Sequence, residues 1–525
     1  MQKASPFHPP VPSHIKESNR WSGLYGASVS LTLSQAIKAN QSPLLIITAD
    51  SLTASRLADE INIFSKDSTL LHFPDWETLP YDRFSPHQDI ISDRLATLYR
   101  LPFLTKGAVI TTVNTLMQQL PPRDYLNAQS FLLKLGDVIN IDVLRTRLVS
   151  AGYYIVNQVR EHGEVAIRGS IIDLFPMGSQ KPYRIDLFDN EIETIRFFST
   201  ETQRSLEKID EINLLPAKEF PMTETSIENF RQEWRNQFPG NPLQSPIYQD
   251  ISEGIYSPGI EYYFPLFFTH TNTLFDYLPQ NTIIVTFDYL QEKAKDFWQE
   301  IILRYNQGKF DIMRPLLAPE QLFIPYQTIQ ETFNQYPRIE IVHDESKKAY
   351  CFTVEPTPVF HINHKEPRPL APLQHYLQDH GNRVLFCAES TGRREILLQL
   401  FETISLSPMR FSTWHQFLAS QDQYGLLIAP LDEGFSLLDP PITVIAETQL
   451  YGKRVMQRRM RKKTLQDPDA IIKDLTELQI GDPVVHIDHG IGRYLGLETL
   501  EVSEQITEFL CLEYQGGDKL YVPVS

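Results

Sequence analysis

The residues best suited to phosphate chemistry stand at 22–37, SGLYGASVSLTLSQAI, immediately ahead of the first strongly apolar run. A phosphate loop reads G-x-x-x-x-G-K-[ST]: its glycines let backbone amides approach the phosphates, its lysine meets their charge and its hydroxyl holds magnesium. On that template Gly23 is the first glycine, Ser28 replaces the second, Val29 replaces the lysine and Ser30 keeps the hydroxyl. An apolar side chain in the cation's place removes the main charge compensation for a triphosphate. The loop is therefore expected to be degenerate. A second enzyme-like signal, PLDEGF at 430–435, puts Asp432 and Glu433 after the strand-like GLLIA, where an acidic pair can hold magnesium. Without a competent phosphate loop it reads as a turn at a strand end. His486 and His489 in HIDHG lack a third ligand nearby, and Cys351, Cys387 and Cys511 lie too far apart in sequence to form a metal spacing. No catalytic residue, cofactor or metal is expected within these residues.

Two further groups of residues suit docking rather than catalysis. In YRIDLFD, 183–189, strand alternation puts Tyr183, Ile185 and Leu187 on one face and Arg184, Asp186 and Phe188 on the other. The first face is core. The second exposes an aromatic ring beside an arginine, and such side chains are the usual anchors of protein interfaces. Nearby, EHGEVAIRGSIIDLFPMG supplies Arg168, just ahead of a kink at Gly169. The alternative is that Arg168 and Arg184 pair with Asp173, Asp186 or Asp189, as surface ion pairs of little energetic weight. Near the end of the chain, Leu495 and Leu497 alternate inward, which gives Leu500 the outward parity of Glu498 and makes it a candidate contact. Between these regions KRVMQRRMRKK, 453–463, carries seven positive charges and no acid, which suits a solvated helical linker or a local DNA contact.

The elements that must position these residues follow from periodicity. A chain of 525 residues should hold about three to five domains. Forty-eight Lys plus Arg against 65 Asp plus Glu give a net charge of -17, which opposes general attraction to a nucleic-acid backbone and confines any DNA contact to a local patch. No apolar signal core and no membrane-length apolar run is present, so a soluble cytoplasmic protein with no membrane partner is expected. The proline-rich start reads as a loose arm.

Residues 1–122 have an α/β pattern, with buried-strand runs at 44–48 and 108–112 and an amphipathic helix carrying Leu57, Ile61 and Phe64. The elbow DWETLPYDRFSPHQDIISDRLATLYRL, 75–101, is extended around Pro80 and Pro86 and then helical through Ile90, Ile91, Leu95, Leu98 and Leu101. Trp76, Tyr81 and Phe84 read there as a loop packed on its own domain. Residues 123–216 form a β-rich insertion with runs at 168–175, 183–188 and 191–198, and 217–348 complete the first domain with an aromatic elbow at 259–268 and a strand at 282–286. A small α/β unit at 349–450, the basic linker 451–478 and a bent β-barrel at 479–525, expected to be incomplete, finish the chain.

The 75–101 elbow, the GIEYY segment at 259–263 and the hairpin insertion resemble, in the same order, the excinuclease subunit UvrB. Together with the closing barrel they resemble the bacterial transcription-repair coupling factors. That resemblance implies a degenerate UvrB-like, helicase-like domain, because Val29 stands where UvrB keeps its lysine and residues 75–90 are too few to hold UvrB's DNA-clamping hairpin. It implies an inserted UvrA-binding domain in which Arg168, Arg184 and Phe188 match UvrA-facing positions. It also implies an RNA-polymerase-interacting, CarD/Tudor-like barrel that docks on the polymerase β subunit, with Leu500 in the contact. The whole protein would recognise polymerase stalled at a lesion, release it with ATP and recruit UvrA for nucleotide excision repair. Its superfamily 2 motor, with ATP, magnesium and double-stranded DNA as ligands, has no counterpart in this sequence, and Ser525 falls just after a strand-like run, as in an amino-terminal portion. A UvrB-type ATP-dependent excision-repair helicase is the first rival reading, and it needs a lysine at 29. A non-enzymatic polymerase-binding transcription regulator is the second, and it would not need the long UvrB-like module.

Overall fold

Short runs of Leu, Ile and Val build the middle of the first sheet. The computed structural model describes residues 2–451 and 481–523, except 16, 67, 344–348, 361, 363–367, 482, 487–489, 503–504 and 515–517. The chain lays down β1 (Gln2–Ala4), β2 (Ser18–Ser22), β3 (Leu44–Thr48), β4 (Leu70–Phe73) and β5 (Ala108–Thr112) before a β-rich insertion interrupts it. The insertion carries β6 (Phe131–Lys134), β7 (Tyr154–Ile155), β8 (Glu164–Arg168), β9 (Ile171–Leu174), β10 (Tyr183–Phe188), β11 (Glu191–Phe198), β12 (Ser205–Ile209) and β13 (Glu211–Leu214). The first sheet is then completed by β14 (Ile283–Phe287), β15 (Arg338–Ile341) and β16 (Tyr350–Phe352), in the order β1-β16-β2-β15-β14-β3-β5-β4. Its pairings are parallel. Every residue of LLIIT in β3 is buried, as a strand covered on both faces requires.

Helix α1 (Ser28–Ala39) follows β2, and α2 (Ser51–Phe64) follows β3, started by the Asp50 carboxylate accepting from the Thr53 amide at 2.7 Å. It buries Leu57, Ile61 and Phe64, the residues that share one helical face. The proline-rich start is not the loose arm expected. Strand β1 pairs with β16 at the sheet edge, and the Pro10 carbonyl accepts from Asn19 Nδ2 and Trp21 Nε1 at 3.2 and 3.1 Å. Edge pairing draws on backbone groups alone, so composition does not announce it. Strand β16 also carries the first sheet past the division expected at 348.

The elbow turns through Glu77 and Tyr81, both at positive φ (58° and 60°), and delivers the chain to α3 (Gln88–Arg100). Trp76 and Tyr81 are buried as expected, whereas Phe84 is 72% exposed. Arg94 of α3 is wholly buried and ion-pairs with Glu219 at 2.7 Å; the other Glu219 oxygen accepts from Trp76 Nε1 at 2.8 Å. The guanidinium also stands 4.5 Å from the ring centroid of Phe73. The end of the insertion is thereby fixed to the elbow.

Beyond the first sheet's last strand, a further six-stranded sheet contains β17 (Val354–Pro356), β18 (Arg383–Ala388), β19 (Met409–Phe411), β20 (Tyr424–Ile428), β21 (Phe435–Leu438) and β22 (Pro441–Ala446), in the order β17-β21-β22-β18-β20-β19. The described residues between 481 and 523 belong to a separate compact unit. Its strands β23 (Pro483–His486), β24 (Gly490–Val502), β25 (Gln505–Glu513) and β26 (Lys519–Pro523) make an antiparallel meander around Tyr494, Leu510 and Leu512. Among the described residues these four strands form one sheet, and the bent barrel expected here is itself an incomplete one. A bulge between Tyr494 and Gly496 interrupts the alternation expected across Leu495 and Leu497. The basic linker at 451–478 lies, apart from Tyr451, outside the described residues. Among the described residues no helix is long and apolar enough to cross a membrane.

Candidate docking site and the degenerate phosphate loop

The insertion presents a six-stranded sheet, β12-β11-β10-β9-β8-β7, and its register decides what each arginine meets. Arg184 on β10 lies directly opposite Asp173 on β9, and Asp173 lies opposite Ala166, two residues before Arg168 on β8. Asp173 is fully buried and takes both arginines. Arg184 binds it bidentately, Nε to Oδ1 at 2.7 Å and NH2 to Oδ2 at 2.9 Å, while Arg168 NH2 donates to the same Oδ2. The hydrogen bonds that Arg184 donates to Asp173 raise the pKa of its guanidinium above the ordinary value, against a smaller opposing effect of burial. Arg184 also lies 5.0 Å from the Phe198 ring centroid and donates to the Gln203 carbonyl at 3.0 Å.

Of the three acids open to the arginines, Asp173 is the partner seen; the Asp186 carboxylate accepts from the Thr194 hydroxyl at 2.7 Å. The two arginines differ in reach: the Arg184 side chain is 16% exposed and that of Arg168 is 50% exposed. Gly169, at φ 60°, makes the tight turn that ends β8 beside Arg168. Phe188 closes β10 with 69% of its surface in solvent, while Ile185 and Leu187 are buried, as strand parity requires. Its cross-strand neighbour Glu191 also bridges, on its other side, to Val138, a second exposed apolar residue at 77%. Asp173 is one of the three acids that the sequence offered as partners of these arginines, and the structure bears that alternative out. Val138 was not singled out from sequence and carries no local signal.

The phosphate-loop residues lie elsewhere. Ser28 begins α1 and is buried; its Oγ accepts from the Tyr25 amide at 2.8 Å. Ser30 is buried and donates to Glu60 Oε2 at 2.5 Å. The other Glu60 oxygen accepts from the Asp432 amide at 3.3 Å, and burial raises this carboxyl above its ordinary value. The Asp432 carboxylate pairs with Arg56 at 2.8 Å. The Ala27 amide at the head of α1 donates to the Glu433 carbonyl at 2.8 Å, and the Ser28 and Val29 amides turn back on Tyr25 and Gly26. The two enzyme-like signals of the sequence therefore meet, but through the backbone of the acidic loop. The amides that would cradle a phosphate are spent on protein carbonyls, and Val29 offers no cation.

Leu500 pairs with Thr507 in the β24–β25 register, and its side chain lies outside the described residues, as does His489. Among the described residues no group of three or more His, Cys, Asp or Glu could hold a metal ion.

Residues 131–220 match the UvrB interaction domain family, 376–450 the MFD, D3 domain family and 478–525 the CarD-like/TRCF RID domain family. The transcription-repair-coupling factor of Haemophilus influenzae is 41% identical over 100% of this chain and 46% of its own length. That of Escherichia coli K12 is 40% identical over 98% of this chain and 45% of its own, and that of Bacillus subtilis 27% identical over 96% and 44%. The chain spans about half the length of the curated relatives it matches. Three domain matches and similarity along the whole chain show that it belongs to the transcription-repair-coupling factor family.

Proposed function

We propose that these residues are the docking portion of a factor that couples transcription to DNA repair in the cytoplasm. The inserted sheet binds UvrA through Arg168, Phe188 and, held behind them, Arg184. The unit at 454–525 docks on the RNA polymerase β subunit with Leu500 in the contact. The loop at Gly23, Ser28, Val29 and Ser30 holds no nucleotide. ATP, magnesium and double-stranded DNA belong to the motor of the full-length protein, which releases the stalled polymerase while this portion recruits the excision machinery.

The observation that carries this reading is the pairing of a half-exposed Arg168 with an exposed Phe188 on a sheet whose buried Asp173 fixes the arginines in place. A preset arginine loses little freedom on binding, and an exposed ring supplies apolar area at the same contact. UvrA capture by the whole chain tests it. Arg168→Ala and Phe188→Ala should each weaken binding by about 2 kcal/mol, with circular dichroism unchanged. Undiminished capture by both variants would put the interface elsewhere.

A further inference from the structure

The inserted sheet holds more positive charge than Arg168 and Arg184 supply. Directly opposite Arg184 across β10 and β11 stands Arg196, and directly opposite Arg196 across β11 and β12 stands Lys208. Cross-strand partners share one side of a sheet, with Cα atoms about 4.5–5.5 Å apart. Three cations therefore follow one another in the row that begins at Asp173. Like charges placed opposite each other destabilise a sheet.

The acids within reach are already engaged. Asp173 takes Arg168 and Arg184, Asp186 accepts from Thr194, and Glu207 pairs with Lys181 at 3.7 Å. Among the described residues the side chains of Arg196 and Lys208 have neither a hydrogen-bond acceptor nor an ion-pair partner. Lys208 is exposed and Arg196 half-buried; Nε of Arg196 is enclosed, whereas its two terminal nitrogens reach the surface. An arginine that holds the fold together looks different: Arg94 is wholly buried and meets Glu219 at 2.7 Å. In a chain of net charge -17 this row is a local exception, and alternation along β10 puts Phe188 on the same side as Arg184.

We propose that Arg196, with Lys208 beside it, is a second contact on the UvrA-docking face and receives carboxylates of that partner. The inference rests on the UvrA reading and extends its footprint from β8 to β12, four strand spacings or about 19 Å, a width that one protein interface covers. The terminal nitrogens of Arg196 suit a paired hydrogen bond to one carboxylate, and Lys208 at the sheet edge is a rim charge that steers the encounter. The two cations oppose each other in the free sheet, and the partner's acids relieve that repulsion in the complex.

Association of the whole chain with immobilised UvrA, followed at low and high salt beside urea unfolding of the same proteins, tests this. Arg196→Ala should weaken binding at least about fivefold and Arg196→Glu at least about fiftyfold, because the latter sets a like charge against the partner's acid. Arg196→Lys should stay closer to the parent than Arg196→Ala. Lys208→Glu should slow association and flatten its dependence on salt, with dissociation little changed. The urea midpoint of Arg196→Ala should equal or exceed the parent's, since a repulsion is removed. Parent affinity in Arg196→Ala and Arg196→Glu, with Arg168→Ala and Phe188→Ala weakened, overturns the proposal and leaves the UvrA reading standing; parent affinity in all four removes both. A lowered midpoint in Arg196→Ala would make the residue structural, and binding lost on nuclease treatment would put phosphates in place of carboxylates; either result overturns the proposal.

Discussion

The Ala27 amide and the Glu433 carbonyl meet at 2.8 Å, so the head of α1, where an anion would otherwise gather amides, is closed by the loop that leads into β21. Glu60 reinforces the closure by joining Ser30 to the Asp432 backbone. A loop that in a nucleotide-binding protein faces solvent and ligand has here become a contact between two protein layers.

Restoring the missing lysine should therefore not restore binding. Val29→Lys, alone or with Ser28→Gly, should leave ATP with magnesium silent in titration calorimetry, because the amide of Ala27 remains occupied and Ser30 remains turned to Glu60. Micromolar affinity in either variant would show that the loop's sequence, and not its closure by Glu433 and Glu60, kept nucleotide out.

Gly26→Ala should loosen the same closure. Gly26 has φ 53°, and a Cβ there would collide with the backbone carbonyl of Gly434 and stand 2.7 Å from that of Glu433. Strain of this kind costs about 1–3 kcal/mol. The denaturant midpoint should fall while far-ultraviolet circular dichroism at low denaturant stays unchanged; a midpoint equal to the parent's would mean that the two loops part freely.

On the insertion, Asp173→Ala should destabilise far more than Arg168→Ala. Removing the acid leaves Arg184, a mostly buried guanidinium, without its countercharge, a loss of about 3 kcal/mol. Removing Arg168, half in solvent, should cost under about 1 kcal/mol. Urea unfolding followed at the insertion measures both, and equal stabilities would show that Asp173 is not the anchor.

Glu261 supplies a pH signature. It is buried, accepts from the Ser85 hydroxyl at 2.7 Å, and burial lifts its carboxyl above the ordinary 4.5 despite opposing effects of Ser85 and Lys218. A folded group that holds its proton more tightly than the unfolded chain contributes stability that is present at low pH. That contribution is lost as pH rises from about 4.5 through the raised folded value. Glu261→Gln keeps the acceptor and should remove this decline, so the variant should gain on the parent with rising pH. Parallel stability curves from pH about 4 to 8 would contradict the assignment.

Much of this architecture is legible in single runs of sequence. LLIIT and AVITT are read as buried strands because nothing polar interrupts them, and the ends of β10 and β11 are marked by turn residues at Asp189–Asn190. Phe188 can be placed on an open face because strand alternation is local. What escaped depends on partners remote in sequence. Strand β1 is defined only by β16, the choice of Asp173 over Asp186 and Asp189 only by the register of two hairpins, and the contact of Ala27 with Glu433 only by two loops about four hundred residues apart meeting through backbone atoms, which no side-chain pattern records.

The order of strands in the first sheet also sets a sequence of events during synthesis. Strand β14 lies between β3 and β15, yet its residues follow the whole insertion, so the apolar edge of β3 has no neighbour on that side until 283–287 have been made. The insertion, built largely of adjacent hairpins, closes over short loops and can be complete by then. A nascent chain halted between about 220 and 280 would thus present a finished inserted sheet on a parent sheet with an open, sticky edge, the kind of strand that recruits other chains. Chaperone demand for this protein should peak in that window of elongation and fall once β14 slots into place.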